Sequence, residues 1–153
     1  MREILFRGKN FGGEWEYGVP VFCGVNNELA FMKQMHSYDH QVLPETVGQY
    51  TGLTDKNGKK IFEGDIVNVW WEQITLEQVD NFQKYKAVIE FGNPNHLYSW
   101  GWQLNMIDDM PFNHDILLWV DMEEAGAFIE VIGNIHDNPE LLNGGLDEEK
   151  EMG

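Results

Sequence analysis

A chain of 153 residues, 42% hydrophobic and 13% aromatic with six Trp, has enough bulky side chains to repay the entropy of ordering one ordinary domain, which excludes an unfolded polypeptide. The formal charge is -16, and all of the imbalance lies late: residues 1–60 hold seven acids and seven bases, whereas residues 61–153 hold nineteen acids against Lys84, Lys86 and Lys150. A surface so short of cations has little with which to displace counterions from phosphates, so direct DNA or RNA binding is disfavoured.

Arg2 to Arg7 reads as a strand, with Ile4 and Phe6 on one face. Charge returns after three apolar residues here, too soon for a secretory signal, and the longest apolar run of the chain, Ile116 to Val120, is far shorter than a bilayer crossing. With Cys23 as the single cysteine, these features predict a cytoplasmic protein with no internal disulfide and no membrane partner. After Gly8-Lys9-Asn10 and Gly12-Gly13, the residues Trp15, Tyr17, Val19 and Val21 alternate with Glu14, Glu16, Gly18 and Pro20. That pattern predicts a half-buried strand with the aromatic and aliphatic set inward, at an edge or broken at Pro20. Leu29 to Met35 fits a short helix or a strand equally well.

Thr46 to Thr54 has β-rich composition, and Lys60-Ile61-Phe62 resumes it after Asp55-Lys56-Asn57-Gly58, where Asn-Gly suits the positive φ angles of a tight hairpin. Glu63-Gly64-Asp65 then turns the chain into Ile66 to Trp71, with Val67, Val69 and Trp71 on one face. Thr75-Leu76-Glu77-Gln78 has the spacing of a capping box and predicts a short helical insertion near 75–83. Strands resume at Tyr85 to Phe91 and, after Gly92-Asn93-Pro94-Asn95, at Tyr98, Trp100, Trp102 and Leu104. Ile116 to Val120 and Phe128 to Ile132 read as two further short strands, and Asn138 with Pro139 as the cap and first residue of one helical turn. Gly144-Gly145 leads into a charged tail over 144–153, expected to be disordered. There is no internal repeat.

The start "MREILFRGKN", the central "VGQYTGLTDKNGKKIFEGDIV" and the late "EVIGNIHDNPELL" together resemble the YopX family, in that order along the chain. Residues 8–45 follow the pattern only loosely, and His136 stands where the pattern often has Tyr. The resemblance implies a phage or prophage protein of unassigned activity, mainly β in class. It also implies a smaller N-terminal part over 1–45, an SH3-like small barrel over 46–143, and self-association. It brings no catalytic residue and no cofactor.

Each candidate site has a plainer structural counterpart. Lys56, Lys59 and Lys60 around Asn57-Gly58 could contact an anion, yet a hairpin tip ordinarily carries solvated lysines, and the glycines here do not follow the phosphate-loop pattern. The structural turn is favoured. His36 and His40 share an i, i+4 spacing, but His36 has no neighbouring Glu and Cys23 stands alone, so no metal site is expected. Asp108, Asp109, His114 and Asp115, or Glu63 with Asp65, could be drawn as a hydrolase set, although acids are frequent enough to pair by chance. Trp70, Trp71, Trp100, Trp102 and Trp119 carry the stronger suggestion: Trp70 and Trp71 are adjacent on one strand and point to opposite faces, so one of them could leave the core as a partner or oligomer contact. The favoured function is a non-enzymatic interaction and self-assembly module, with a second copy and a host or phage protein as partner classes. The alternatives are an acidic mimic of nucleic acid that occupies a host DNA-binding protein and, less favoured, a metal-dependent hydrolase.

Overall fold

The structure is a computed structural model that describes residues 4–34, 38–72, 84–92, 101–108, 116–121 and 126–143. It is mainly β, with two antiparallel sheets, and divides into two compact units, Met1–Gly52 and Leu53–Gly153. Among the described residues no helix is long and apolar enough to cross a membrane.

The first unit is a meander: β1 (Phe6–Lys9), β2 (Trp15–Cys23), β3 (Leu29–Lys33) and β4 (His40–Val42), with β5 (Gly48–Thr54) against the free side of β1. The ambiguous segment from Leu29 is therefore a strand. Asn10 builds the first hairpin, its Oδ1 accepting the Gly12 and Glu14 amides at 2.9 and 3.0 Å. Thr46, in a single 3-10 turn at Pro44–Thr46, accepts the Lys9 amide on Oγ1 at 2.8 Å and donates to the Leu43 carbonyl at 2.7 Å. That short polar side chain fixes where the β4–β5 connection lies against β1. The core is small: Ala30, Met32 and Val42 are fully buried, with Phe6 and Val47 packed against them.

One expectation is reversed in this unit. On β2 it is Glu16, Gly18 and Pro20 that turn toward the packed side, while Tyr17, Val19 and Val21 are exposed. The reason is local space: Gly18 lies over the Met32 side chain, and Pro20 and Phe22 stand opposite Met32 and Ala30. The alternation was real, but as far as Pro20 the sheet covers its other face, Phe22 beyond it being exposed like Val21.

In the second unit β6 (Lys60–Phe62) follows the hairpin, and β7 (Asp65–Trp71), β8 (Tyr85–Phe91), β9 (Trp102–Met106) and β10 (Ala127–Asn134) form a sheet in the order β10-β7-β8-β9. Among the described residues this sheet is open, with β10 and β9 at its edges and no ladder joining them. The expected barrel closure is thus absent from these ladders. The core takes Val67 and Val69 from β7, Ala87 and Ile89 from β8, and Leu104 from β9, with Ala127 and Ile129 from β10.

Ile116 to Val120, expected as a strand, is instead α1 (Ile116–Asp121). A five-residue apolar run has no periodicity long enough to choose between the two forms. Tertiary contact makes the choice: Ile116 and Trp119, three residues apart, both bury into the core, and the helix packs on β10 and β9. The Thr75–Gln78 insertion, the strand residues Tyr98 and Trp100, and the tail over 144–153 lie outside the described residues.

Candidate functional site

The lysine-bearing turn between β5 and β6 is organised by one carboxylate. Asp55, 7% exposed, accepts the Asn57 and Lys59 amides on Oδ1 and the Val131 amide on Oδ2, all at 2.9 Å. The first two bonds make the Asx-type turn that Asp favours, and Gly58, with φ +79°, completes it. The third fastens the turn to the edge of β10. There the Lys56 amide also donates to the Ile129 carbonyl at 3.0 Å, and Asn57 Nδ2 reaches Glu130 Oε2 at 3.3 Å. The hairpin tip is docked on β10, and its backbone covers part of a sheet edge that would otherwise be open.

Lys56 then lies over two rings, its Nζ 5.2 Å from the Trp70 centroid and 5.6 Å from that of Phe128. Those rings stack with centroids 5.6 Å apart and an 18° interplanar angle, and Lys84 Nζ stands 4.3 Å from the Trp70 centroid. Lys56 is thereby held against aromatic faces, and Lys59 and Lys60 are exposed. An anion arriving at this turn would meet the Asp55 and Glu130 carboxylates already bonded within it. Beside the turn, Asp55, Lys56, Trp119, Val120 and Phe128 contribute to a cleft of about 120 Å³, below the roughly 300 Å³ at which small-molecule sites begin.

The tryptophans divide as their strand positions require. Trp71, Trp102 and Trp119 belong to the core, with Trp71 and Trp119 edge to face at 6.1 Å and 83°. Trp70 does point to the opposite face, where it is 2% exposed under Phe128 and the lysines, and its Nε1 donates to Glu72 Oε1 at 3.1 Å. None of these four rings stands out into solvent. Trp100 lies outside the described residues.

A second polar cluster joins the Glu63-Gly64-Asp65 turn to the segment after β10. Asp65 Oδ2 accepts the Phe62 amide at 2.8 Å; the Gly64 amide donates to the Ile89 carbonyl, and the Gly64 carbonyl accepts the Ile135 amide, both at 2.9 Å. Asn134 Oδ1 accepts the His136 and Asp137 amides at 3.0 and 2.9 Å, and its Nδ2 donates to Asp137 Oδ2 at 3.0 Å. Asn138 precedes the 3-10 turn Pro139–Leu142 as expected, with Pro139 first, but its side chain does not cap that turn. Its Oδ1 instead reaches back to the Asn134 amide at 3.2 Å, through space left open by Gly133.

Among the described residues no three His, Cys, Asp or Glu side chains gather as a metal set. His40 Nδ1 lies 3.8 Å from Glu16 Oε1, and Cys23 is exposed. Of the candidate hydrolase groups, Asp108 accepts the Lys86 amide at 2.9 Å and Asp65 is buried, while Asp109, His114 and Asp115 lie outside the described residues, as does His36 of the histidine pair. Two features escaped the sequence reading. One was Asp55, whose signal was an acid two residues before Asn-Gly; the other was the outward set on β2, which had none.

The family model described as YopX protein matches residues 23–143. The chain belongs to the YopX family. The YopX match begins at Cys23, so it takes in the central and late motifs and leaves "MREILFRGKN" outside. A solved structure, the crystal structure of protein EF1440 from Enterococcus faecalis, is similar with 22% identity and a TM-score of 0.48, over 94% of this chain and 100% of that one. No curated protein matches. In this YopX chain, the motif residues Asp55 and Gly64 thus join segments distant in sequence, while Asp65, Asn134 and Asn138 accept amides within their own turns.

Proposed function

We propose that this YopX-family chain is a non-enzymatic protein-interaction and self-assembly module of the bacteriophage or prophage type. The observation that carries the reading is the row Tyr17, Val19 and Val21 on β2, exposed at 45, 50 and 39%. A contiguous apolar row left in water is hydrophobic contact not yet made, and fully burying one such side chain contributes about 1.5–3 kcal/mol. The reading is supported further by the use of Asp55 and Asp65, whose carboxylates are engaged by backbone amides rather than turned toward a substrate.

In our reading the second unit is related to the SH3-like barrels. Its four-stranded sheet and the hairpin docked on β10 supply five strands around one core, which supports that relation.

Light scattering over the micromolar range tests the self-assembly. The expected mass is a multiple of 17.8 kDa, and a particle of 17.8 kDa at every concentration removes it. The acidic-mimic alternative draws on the concentration of the -16 charge in residues 61–153. It requires a captured protein that duplex DNA displaces.

A further inference from the structure

We propose, independently of the self-assembly reading, that Asn57 is a site of spontaneous deamidation which the Asp55 turn holds back, and that its conversion releases the hairpin tip from β10. Asn57 is exposed to water at that tip and is followed by Gly58. An asparagine so placed loses its amide without an enzyme, because the backbone nitrogen of the next residue can attack the side-chain carbonyl carbon. Glycine obstructs that attack least, having no side chain. Here the bond from Gly58 N to Asn57 Cγ forms and the Cγ–Nδ2 bond breaks, Nδ2 leaving as ammonia with the proton that the Gly58 nitrogen gives up. Water then opens one of the two C–N bonds of the resulting succinimide, yielding aspartate or isoaspartate with no oxidation or reduction.

The fold engages both the attacking and the leaving nitrogen. The Gly58 amide donates to the Asp55 carbonyl at 3.0 Å, which keeps its proton in a hydrogen bond. On either side of it the Asn57 and Lys59 amides share Asp55 Oδ1, each at 2.9 Å, and this fixes the backbone from which the nucleophile would have to reach back. The leaving group, Asn57 Nδ2, donates to Glu130 Oε2 at 3.3 Å. Attack therefore waits for the turn to open, and its rate follows the population of the opened turn.

Neither product restores the closed tip. Aspartate sets a carboxylate where the amide donated to Glu130, so a hydrogen bond is exchanged for a pair of like charges. Isoaspartate carries the same added charge and also inserts one main-chain atom between the Asn57 and Lys59 amides, which must both reach a single oxygen of Asp55. A loosened turn gives up the bonds from the Lys56 amide to the Ile129 carbonyl and from the Val131 amide to Asp55 Oδ2. The docked tip thus has a chemical lifetime, and Asp55 sets it.

The test uses the full chain, incubated in mildly alkaline buffer both natively and in guanidinium chloride. Peptide mass spectrometry reads the amide-to-acid gain at Asn57, and chromatography separates the isoaspartate form. The expected rate is about tenfold or more lower in the native chain than in the denatured one, with Asp55→Ala recovering most of that difference while its β7–β8 ladder stays protected from hydrogen exchange. Asp55→Asn keeps one acceptor for the turn; it is expected between the two and carries the test if the alanine variant fails to fold. Asn57→Asp stands in for the product, and exchange at its Lys56 and Val131 amides is expected to rise about tenfold with the β7–β8 ladder unchanged. Equal rates in native and denatured chains, or in wild type and the folded Asp55 variants, would overturn the restraint. An Asn57 that stays intact in the denatured chain would overturn the site itself, and unchanged exchange in Asn57→Asp would overturn the release of the tip.

Discussion

Asp55 and Val131 lie 76 residues apart, and the carboxylate of one accepts the amide of the other at 2.9 Å. The same Asp55 side chain closes the turn that contains it, through the Asn57 and Lys59 amides. One side chain therefore sets both the shape of the hairpin and its position on β10.

Asp55→Ala leaves three amides without their acceptor, two of them inside the turn. Loss of hydrogen bonds to a charged group with partly buried donors lowers stability by roughly 3 kcal/mol. Urea titration should show a lower midpoint with an unchanged slope. Asp55→Asn is the informative companion, because an amide keeps one acceptor oxygen for the turn but presents an NH₂ group to Val131. It should fall between wild type and alanine.

Gly133 and Asn138 are coupled through space. A Cβ at Gly133 would stand 2.5 Å from Asn138 Oδ1 and 2.8 Å from its Cγ, displacing the side chain that accepts the Asn134 amide. Gly133→Ala should therefore be less damaging in an Asn138→Gly background than in wild type, by about 1 kcal/mol in a double-mutant cycle. Strict additivity would show that the two residues do not share this space.

Two glycines with similar backbone angles should respond differently to alanine. Gly58 has φ +79° and nothing within 4 Å of an added Cβ, so Gly58→Ala costs only the left-handed strain of about 1–2 kcal/mol. Gly126 has φ +93°, and its added Cβ would collide with the Glu72 carbonyl oxygen, in a segment where the Glu72 amide donates to the Gly126 carbonyl at 2.7 Å. Thermal melts should rank Gly126→Ala well below Gly58→Ala. Equal melting temperatures would contradict the close approach.

Trp119 is 1% exposed and meets Trp71 edge to face, which makes it the main anchor of the short helix α1. Trp119→Ala should cost about 3–5 kcal/mol, as large aromatic deletions in cores do. Loss of that ring pair should also change the near-ultraviolet circular dichroism. A variant as stable as wild type would mean that α1 is not held by this contact.

Turns and strands were readable in order because their signals are local. Asn57-Gly58 marked the hairpin, Glu63-Gly64-Asp65 the next turn, and the alternation of Val67, Val69 and Trp71 the face that enters the core. The same locality explains the placement of Trp70 and Trp71 on opposite sides, since strand geometry alone requires it.

Alternation gives two faces but does not say which one is covered, and β2 shows the consequence: its apolar row faces water because β3 and β4 pack Met32, Ala30 and Val42 on the other side. Ile116 to Val120 was too short for its sequence to choose helix over strand, and contacts with β9 and β10 chose for it. The role of Asp55 likewise depends on a partner brought near by folding, the Val131 amide, whereas Asn138 works locally, its Oδ1 reaching the Asn134 amide. Local conformational preference is carried by neighbours along the chain, whereas burial and long-range hydrogen bonding are properties of what the completed fold places alongside.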